Sequence, residues 1–175
     1  AGKFGNVRGQ SSDQGACPQN CPLGKYGNVS GKTNVIEACQ LRCPSGKHGY
    51  QSGQVTEEAA CELCPGGKYS GEKGLAVCHN CILGKFGSID ITGKVSLENA
   101  CPYNCSKGRY GNISGQTTES NACAFCSAGR FGNVTGGSSE IAGCPFQCST
   151  GKHGYQSGQT TEQNACAFCS AGRFG

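Results

Sequence analysis

The 175-residue chain holds 16 cysteines and 30 glycines, has no Trp and no Met, and carries a formal charge of +4. Cysteine near this level signals a disulfide scaffold, and the sparse, scattered large aliphatics supply no runs from which one sizeable core could be built. The evenly spread Lys and Arg argue against a nucleic-acid binder, and no stretch approaches the apolar length of a membrane span.

Internal repeats organise everything else. A partial repeat, 1–16, opens with Gly2-Lys3-Phe4-Gly5. The same motif of glycine, cation, aromatic and glycine returns as Gly24-Lys25-Tyr26-Gly27 in repeat 17–38, and with His48 in the aromatic slot in repeat 39–60. Repeat 61–77 is short and ends the motif in serine, Gly67-Lys68-Tyr69-Ser70. Repeat 78–100 carries Gly84-Lys85-Phe86-Gly87, repeat 101–122 carries Gly108-Arg109-Tyr110-Gly111, and repeat 123–143 carries Gly129-Arg130-Phe131-Gly132. Repeat 144–165 places His153 in the slot, and the partial repeat 166–175 ends on Gly172-Arg173-Phe174-Gly175. The run GKHGYQSGQVTEEAAC from Gly46 is echoed as GKHGYQSGQTTEQNAC from Gly151, a mark of recent duplication. Both ends fall inside a repeat, and the array is expected to continue past them.

Within a repeat, the first motif glycine permits a positive φ or a tight approach. Lys25-Tyr26-Gly27-Asn28-Val29 reads as a short strand leading to a Ser-Gly turn, with a polar return such as Thr117-Thr118-Glu119. The fold class expected is small disulfide-rich tandem repeats: short β-hairpins or ribbons stacked into an elongated rod, with little helix and no single large core. The aromatic of each motif is expected to pack on a disulfide or a neighbouring ring, with its cation outside.

Spacing bears on the disulfides. A cysteine stands three residues before each motif glycine from the second copy on, and a partner precedes it by three or four positions. From the second cysteine of one pair to the first of the next, the separation is 18 in five cases: 21 to 39, 43 to 61, 105 to 123, 126 to 144 and 148 to 166. It stays at 18 whether the flanking pairs are CxxC or CxxxC. A closed loop is where a separation should be constant. This favours a ladder of Cys21–Cys39, Cys43–Cys61, Cys64–Cys78, Cys81–Cys101, Cys105–Cys123, Cys126–Cys144 and Cys148–Cys166. Each loop contributes roughly 3 kcal/mol in the chain-entropy model. The alternative is an interlocked pairing of first with first and second with second. The ladder leaves Cys17 and Cys169 for flanking repeats, or for each other between copies in a head-to-tail fibre that does not close.

The segments Cys21-Pro22-Leu23-Gly24-Lys25-Tyr26 and Cys64-Pro65-Gly66-Gly67-Lys68-Tyr69-Ser70 resemble the ephrin-receptor-like cysteine-rich repeat, and more distantly the tumour-necrosis-factor receptor repeats. The resemblance runs along the whole chain on a short motif. It implies an extracellular, β-poor, disulfide-rich rod without enzymatic activity. The CxxxC pairs, His48 and His153 depart from the family pattern.

Other chemistries compete with the staple reading. Cys61-x-x-Cys64 and Cys78-x-x-Cys81 fall close to a structural zinc-ribbon spacing. The wider CxxxC pairs elsewhere favour the ladder, so no metal and no cofactor is assigned. A redox role for CxxC lacks its thioredoxin-like context. His48 and His153 are read as packing rings, and His79 as an exposed residue between two cysteines. No catalytic constellation can be assembled, since serines and acids track the repeat and do not converge. The sequons Asn28-Val29-Ser30, Asn112-Ile113-Ser114 and Asn133-Val134-Thr135 set asparagine just after the motif, suggesting one decorated edge; Asn104-Cys105-Ser106 is the weakest of the four. The chain is therefore expected to be an extracellular structural protein: a glycosylated filament, surface hair or coat, partnered by copies or continuations of itself and by glycans. The alternative is the stalk or ligand-binding ectodomain of a cell-surface receptor or adhesin.

Overall fold

The computed structural model describes residues 1–173; Phe174 and Gly175, the end of the last motif copy, lie outside the described residues. Among these residues are sixteen strands of two or three residues and seven one-turn helices, and the strands form eight two-stranded sheets. Backbone contacts divide the chain into two compact units. One holds Ala1–His79 with Thr92–Asn99, and the other holds Asn80–Ile91 with the chain from Ala100 onward.

The repeats are built in the same sequence of steps, except that 61–77 has no helical turn before its closing cysteine. The cation and aromatic of the motif form a strand, such as Lys25–Tyr26. Its partner is not the polar return but the segment between the next two cysteines, Leu41–Arg42, in antiparallel register Lys25↔Arg42 and Tyr26↔Leu41. The polar return instead runs into a helical turn. At Val35–Ala38 the Asn34 side chain caps the start by accepting from the Glu37 N–H at 3.0 Å. At Glu57–Ala60 Thr56 does the same for the Ala59 N–H at 3.4 Å. Short polar side chains ahead of a first-turn acid are helix-start chemistry, and here they outweigh the β preference of threonine.

The two cysteine spacings differ by a local change at the first cysteine. Before CxxxC pairs, Cys39 and Cys144 have ψ of 57° and 61° and stay out of the strand. In three of the four CxxC pairs the first cysteine, Cys61, Cys123 or Cys166, has ψ of 136°, 124° or 138° and joins a strand of three residues; in the fourth, Cys78 stays outside the two-residue strand His79–Asn80. The extra residue is thus absorbed as one turned backbone position, and the hairpin register beyond it is preserved.

The cores are small and repeated. In the first unit, Tyr26, Cys43, Ala60 and Cys61 form one buried cluster, and Cys21, Ala38 and Cys39 form another with Phe4 and Val35 against it. In the second, Cys105, Ala122 and Cys123 cluster with Phe86. The alanine just before each of these first cysteines is almost wholly enclosed. No aliphatic side chain larger than alanine belongs to the fully buried set, so covalent staples substitute for the missing apolar area.

Backbone hydrogen bonds join one repeat to the next within each unit. In the first, the Gly53, Gly74 and Gly93 N–H groups donate to the carbonyls of Cys21, Cys43 and Cys64 at 2.8–2.9 Å. In the second, those of Gly115, Gly136 and Gly158 donate to Cys81, Cys105 and Cys126 at 2.8–2.9 Å. Two glycines show what close backbone packing requires. Gly24 has φ of +82°, a region other residues rarely occupy. Gly27 has no unusual φ, but a methyl group there would overlap the Ala38 carbonyl oxygen.

Candidate functional site

The disulfide ladder and the slots beside it carry most of the chain's chemistry. Bonds join Cys21 to Cys39, Cys43 to Cys61, Cys64 to Cys78, Cys81 to Cys101, Cys105 to Cys123, Cys126 to Cys144 and Cys148 to Cys166. The sequence separation is 18 in five of them, 14 at Cys64–Cys78 and 20 at Cys81–Cys101, yet the Cα–Cα distance stays between 5.5 and 5.8 Å. Loop length therefore varies outside the bonded geometry. Cys17 and Cys169 are the free cysteines among the described residues, each half-buried. The quartet with zinc-ribbon spacing is dispersed, because Cys61 bonds Cys43 and Cys81 bonds Cys101.

The aromatic slot faces the disulfide one repeat ahead. Phe4 packs on Cys21–Cys39, Tyr26 on Cys43–Cys61 and Phe86 on Cys105–Cys123. Burial pushes the Tyr26 phenol above its ordinary value. His48 occupies this slot ahead of Cys64–Cys78, and a ring nitrogen and the two sulfurs lie within 4.8 Å of one another. Its Nδ1 lies 3.2 Å from the Glu62 carbonyl oxygen. Since a carbonyl only accepts, Nδ1 is the donor in this contact. His153 is exposed and paired in register with Ala167. His79 is exposed and tilts against Tyr69 at 5.6 Å between centroids.

A second recurring contact was not legible from cysteine spacing. The N–H of Ser106 donates to Glu119 at 2.7 Å, that of Ser127 to Glu140 at 2.9 Å and that of Ser149 to Glu162 at 2.9 Å. The Ser127 and Ser149 hydroxyls donate to the same carboxylates. The Ser106 side chain, with its N–H, lowers Glu119 from its ordinary value, and the Ser127 hydroxyl, then its N–H, lowers Glu140. Glu162 is pulled down to about 2, first by the Ser149 hydroxyl, then by its N–H, then by Lys152. In the first unit the equivalent positions are Pro22, Pro44 and Pro65, which have no N–H to give. There Glu57 turns to Lys47 instead, at 2.7 Å. The clasp could have been found from a serine just after the second cysteine with glutamate 13 residues on.

Several of the motif cations are engaged at half-buried positions. Arg109 lies 3.9 Å over the Phe125 ring, Lys152 lies 5.1 Å from that of Phe168, and Arg130 Nη1 donates to the Cys144 carbonyl at 3.2 Å. Phe86 stacks on Tyr103 and Phe131 on Phe146 across their hairpins.

The sequon asparagines Asn28, Asn112 and Asn133 are all exposed at the residue after the second motif glycine. Asn112 opens on a groove of about 640 Å³ that Arg109, Gln116 and Phe125 also line. Asn104 is exposed as well, with its amide beside the Gly136 backbone, where an added methyl would come within 3.2 Å. The chain matches no protein-family model and no curated protein. Seven disulfides in small repeats fit an extracellular or secreted protein of structural or ectodomain type. Among the described residues no helix is long and apolar enough to cross a membrane.

Proposed function

We propose that this chain is a structural segment of an extracellular, glycosylated filament, surface hair or coat, built as an ephrin-receptor-like cysteine-rich repeat array. The observation that carries the reading is the repeated join. The same glycine N–H donates to the same cysteine carbonyl from repeat to repeat within each unit. Such a contact can be continued by any further copy of the repeat, which is what a polymerised or extended array needs. The role is mechanical and not catalytic: each staple closes a local loop and leaves little slack to unfold or to be cut. Glycans on Asn28, Asn112 and Asn133 sheath the surface, with Asn104, beside the staple Cys105, the least used of the four sequons.

Electron microscopy of the native material under non-oxidising, non-reducing conditions tests this. Filaments or fibrous layers that disperse on reduction are expected. Monodisperse monomers would overturn the filament and leave the receptor or adhesin stalk. Digestion with an N-glycosidase in heavy-oxygen water reports the sugars: label at Asn28, Asn112 and Asn133 and least at Asn104 is the expected pattern.

A further inference from the structure

Two motif slots hold histidine in place of a phenyl or phenol, and that of repeat 39–60 brings its ring to a disulfide. We propose that His48, Cys64 and Cys78 form a redox-gated site for a thiophilic divalent cation such as zinc, closed while the disulfide stands and opened by reduction. The proposal depends on this disulfide and not on the filament reading.

The chemistry converges from three directions. The ring nitrogen and both sulfurs already lie within 4.8 Å of one another. Tetrahedral zinc holds two thiolates about 3.8 Å apart at its usual Zn–S distance, so the sulfurs have only to separate once the bond between them opens. His48 also keeps one ring nitrogen on a backbone carbonyl, the kind of partner that fixes the ring of a metal-bound imidazole. Two thiolates and a neutral imidazole bring a divalent cation to zero net charge, leaving a fourth position for water or a further ligand.

Access singles out the same bond. Among the bonded cysteines only Cys78 and Cys148 are not buried. A reductant's thiolate can reach Cys78 Sγ; the S–S bond breaks and Cys64 leaves as thiolate. The reductant's second thiol then displaces Cys78 and departs as the new disulfide, having supplied two electrons and two protons. The cation replaces the two thiol protons, which pass to solvent. The Cys148–Cys166 bond is comparably open, but the aromatic slot of the preceding repeat holds Phe131, which offers no ligand.

The test uses the whole chain with Cys17 and Cys169 first blocked by a maleimide. A phosphine reductant, which takes up water's oxygen as it opens a disulfide, is added in limiting amount. Alkylation and peptide mapping of an aliquot identify which bonds have opened, and cobalt(II) is titrated into the rest. Opening of Cys64–Cys78 with a thiolate-to-cobalt charge-transfer band, displaced by zinc, is expected. His48→Phe, a residue other repeats tolerate in this slot, should weaken cobalt binding at least ~tenfold without changing which bonds open. Cobalt binding of equal strength in wild type and His48→Phe would overturn the site, as would an open Cys64–Cys78 pair with no charge-transfer band. Resistance of that bond while buried ones open would overturn the gate.

Discussion

The residues that matter most are the smallest. Gly27 sits where a methyl group would overlap the Ala38 carbonyl oxygen, and both are backbone sites that cannot swing aside. Gly27→Ala should destabilise the fold by about 1–3 kcal/mol, read as a lowered thermal midpoint with all disulfides intact. A midpoint unchanged from wild type would contradict the close approach. Acid acts at another single residue. Glu162 is held at about 2, against an ordinary value of 4.5, so its carboxylate form is favoured by the folded state. A depressed carboxyl contributes stability above its unfolded value and loses it as pH falls through the folded value. The stability difference between wild type and Glu162→Gln should therefore be full near neutrality, shrink from about pH 4.5 downward and be gone only below about pH 2. Amide exchange at Ser149 measured across that range reads it directly, and a difference that does not shrink between neutrality and pH 2 would rule the clasp out.

At the scale of elements, the one-turn helices separate real caps from apparent ones. Asn34 accepts from the Glu37 N–H, whereas Thr118 makes no capping bond. Asn34→Ala should cost about 1 kcal/mol of local stability, seen as faster exchange at Glu37, and Thr118→Ala should leave exchange at Asn121 nearly unchanged. These turns also mark the limit of what the sequence disclosed. The constant separation of 18 is a property of the loop itself, so it is visible in a bare string of residues. The hairpin partner was not visible in the same way. Thr117-Thr118-Glu119 has the composition of a strand and the order of a helix start, and the tertiary setting decides between them. The buried alanines before Cys39, Cys61, Cys101, Cys123 and Cys166 were unreadable for a different reason. Alanine is ordinary anywhere, and only the packed disulfide beside it shows that nothing larger fits. From sequence alone His48 stands as a packing ring, and in the fold a ring nitrogen lies within 4.8 Å of the Cys64 and Cys78 sulfurs. That the slot faces two sulfurs is knowledge that depends on which disulfide lies one repeat ahead.

Across the whole molecule, stability rests on covalent loops because the cores hold little beyond cystine, alanine and one ring per repeat. Complete reduction should abolish the fold and not merely loosen it, since each loop is worth roughly 3 kcal/mol and no apolar core remains to compensate. The most direct test of the account is peptide mapping of the native protein under non-reducing conditions. The ladder predicts peptides linked as Cys21–Cys39, Cys43–Cys61, Cys64–Cys78, Cys81–Cys101, Cys105–Cys123, Cys126–Cys144 and Cys148–Cys166. Links between the first cysteines of successive pairs, or links within a CxxC pair such as Cys61 to Cys64, would contradict it.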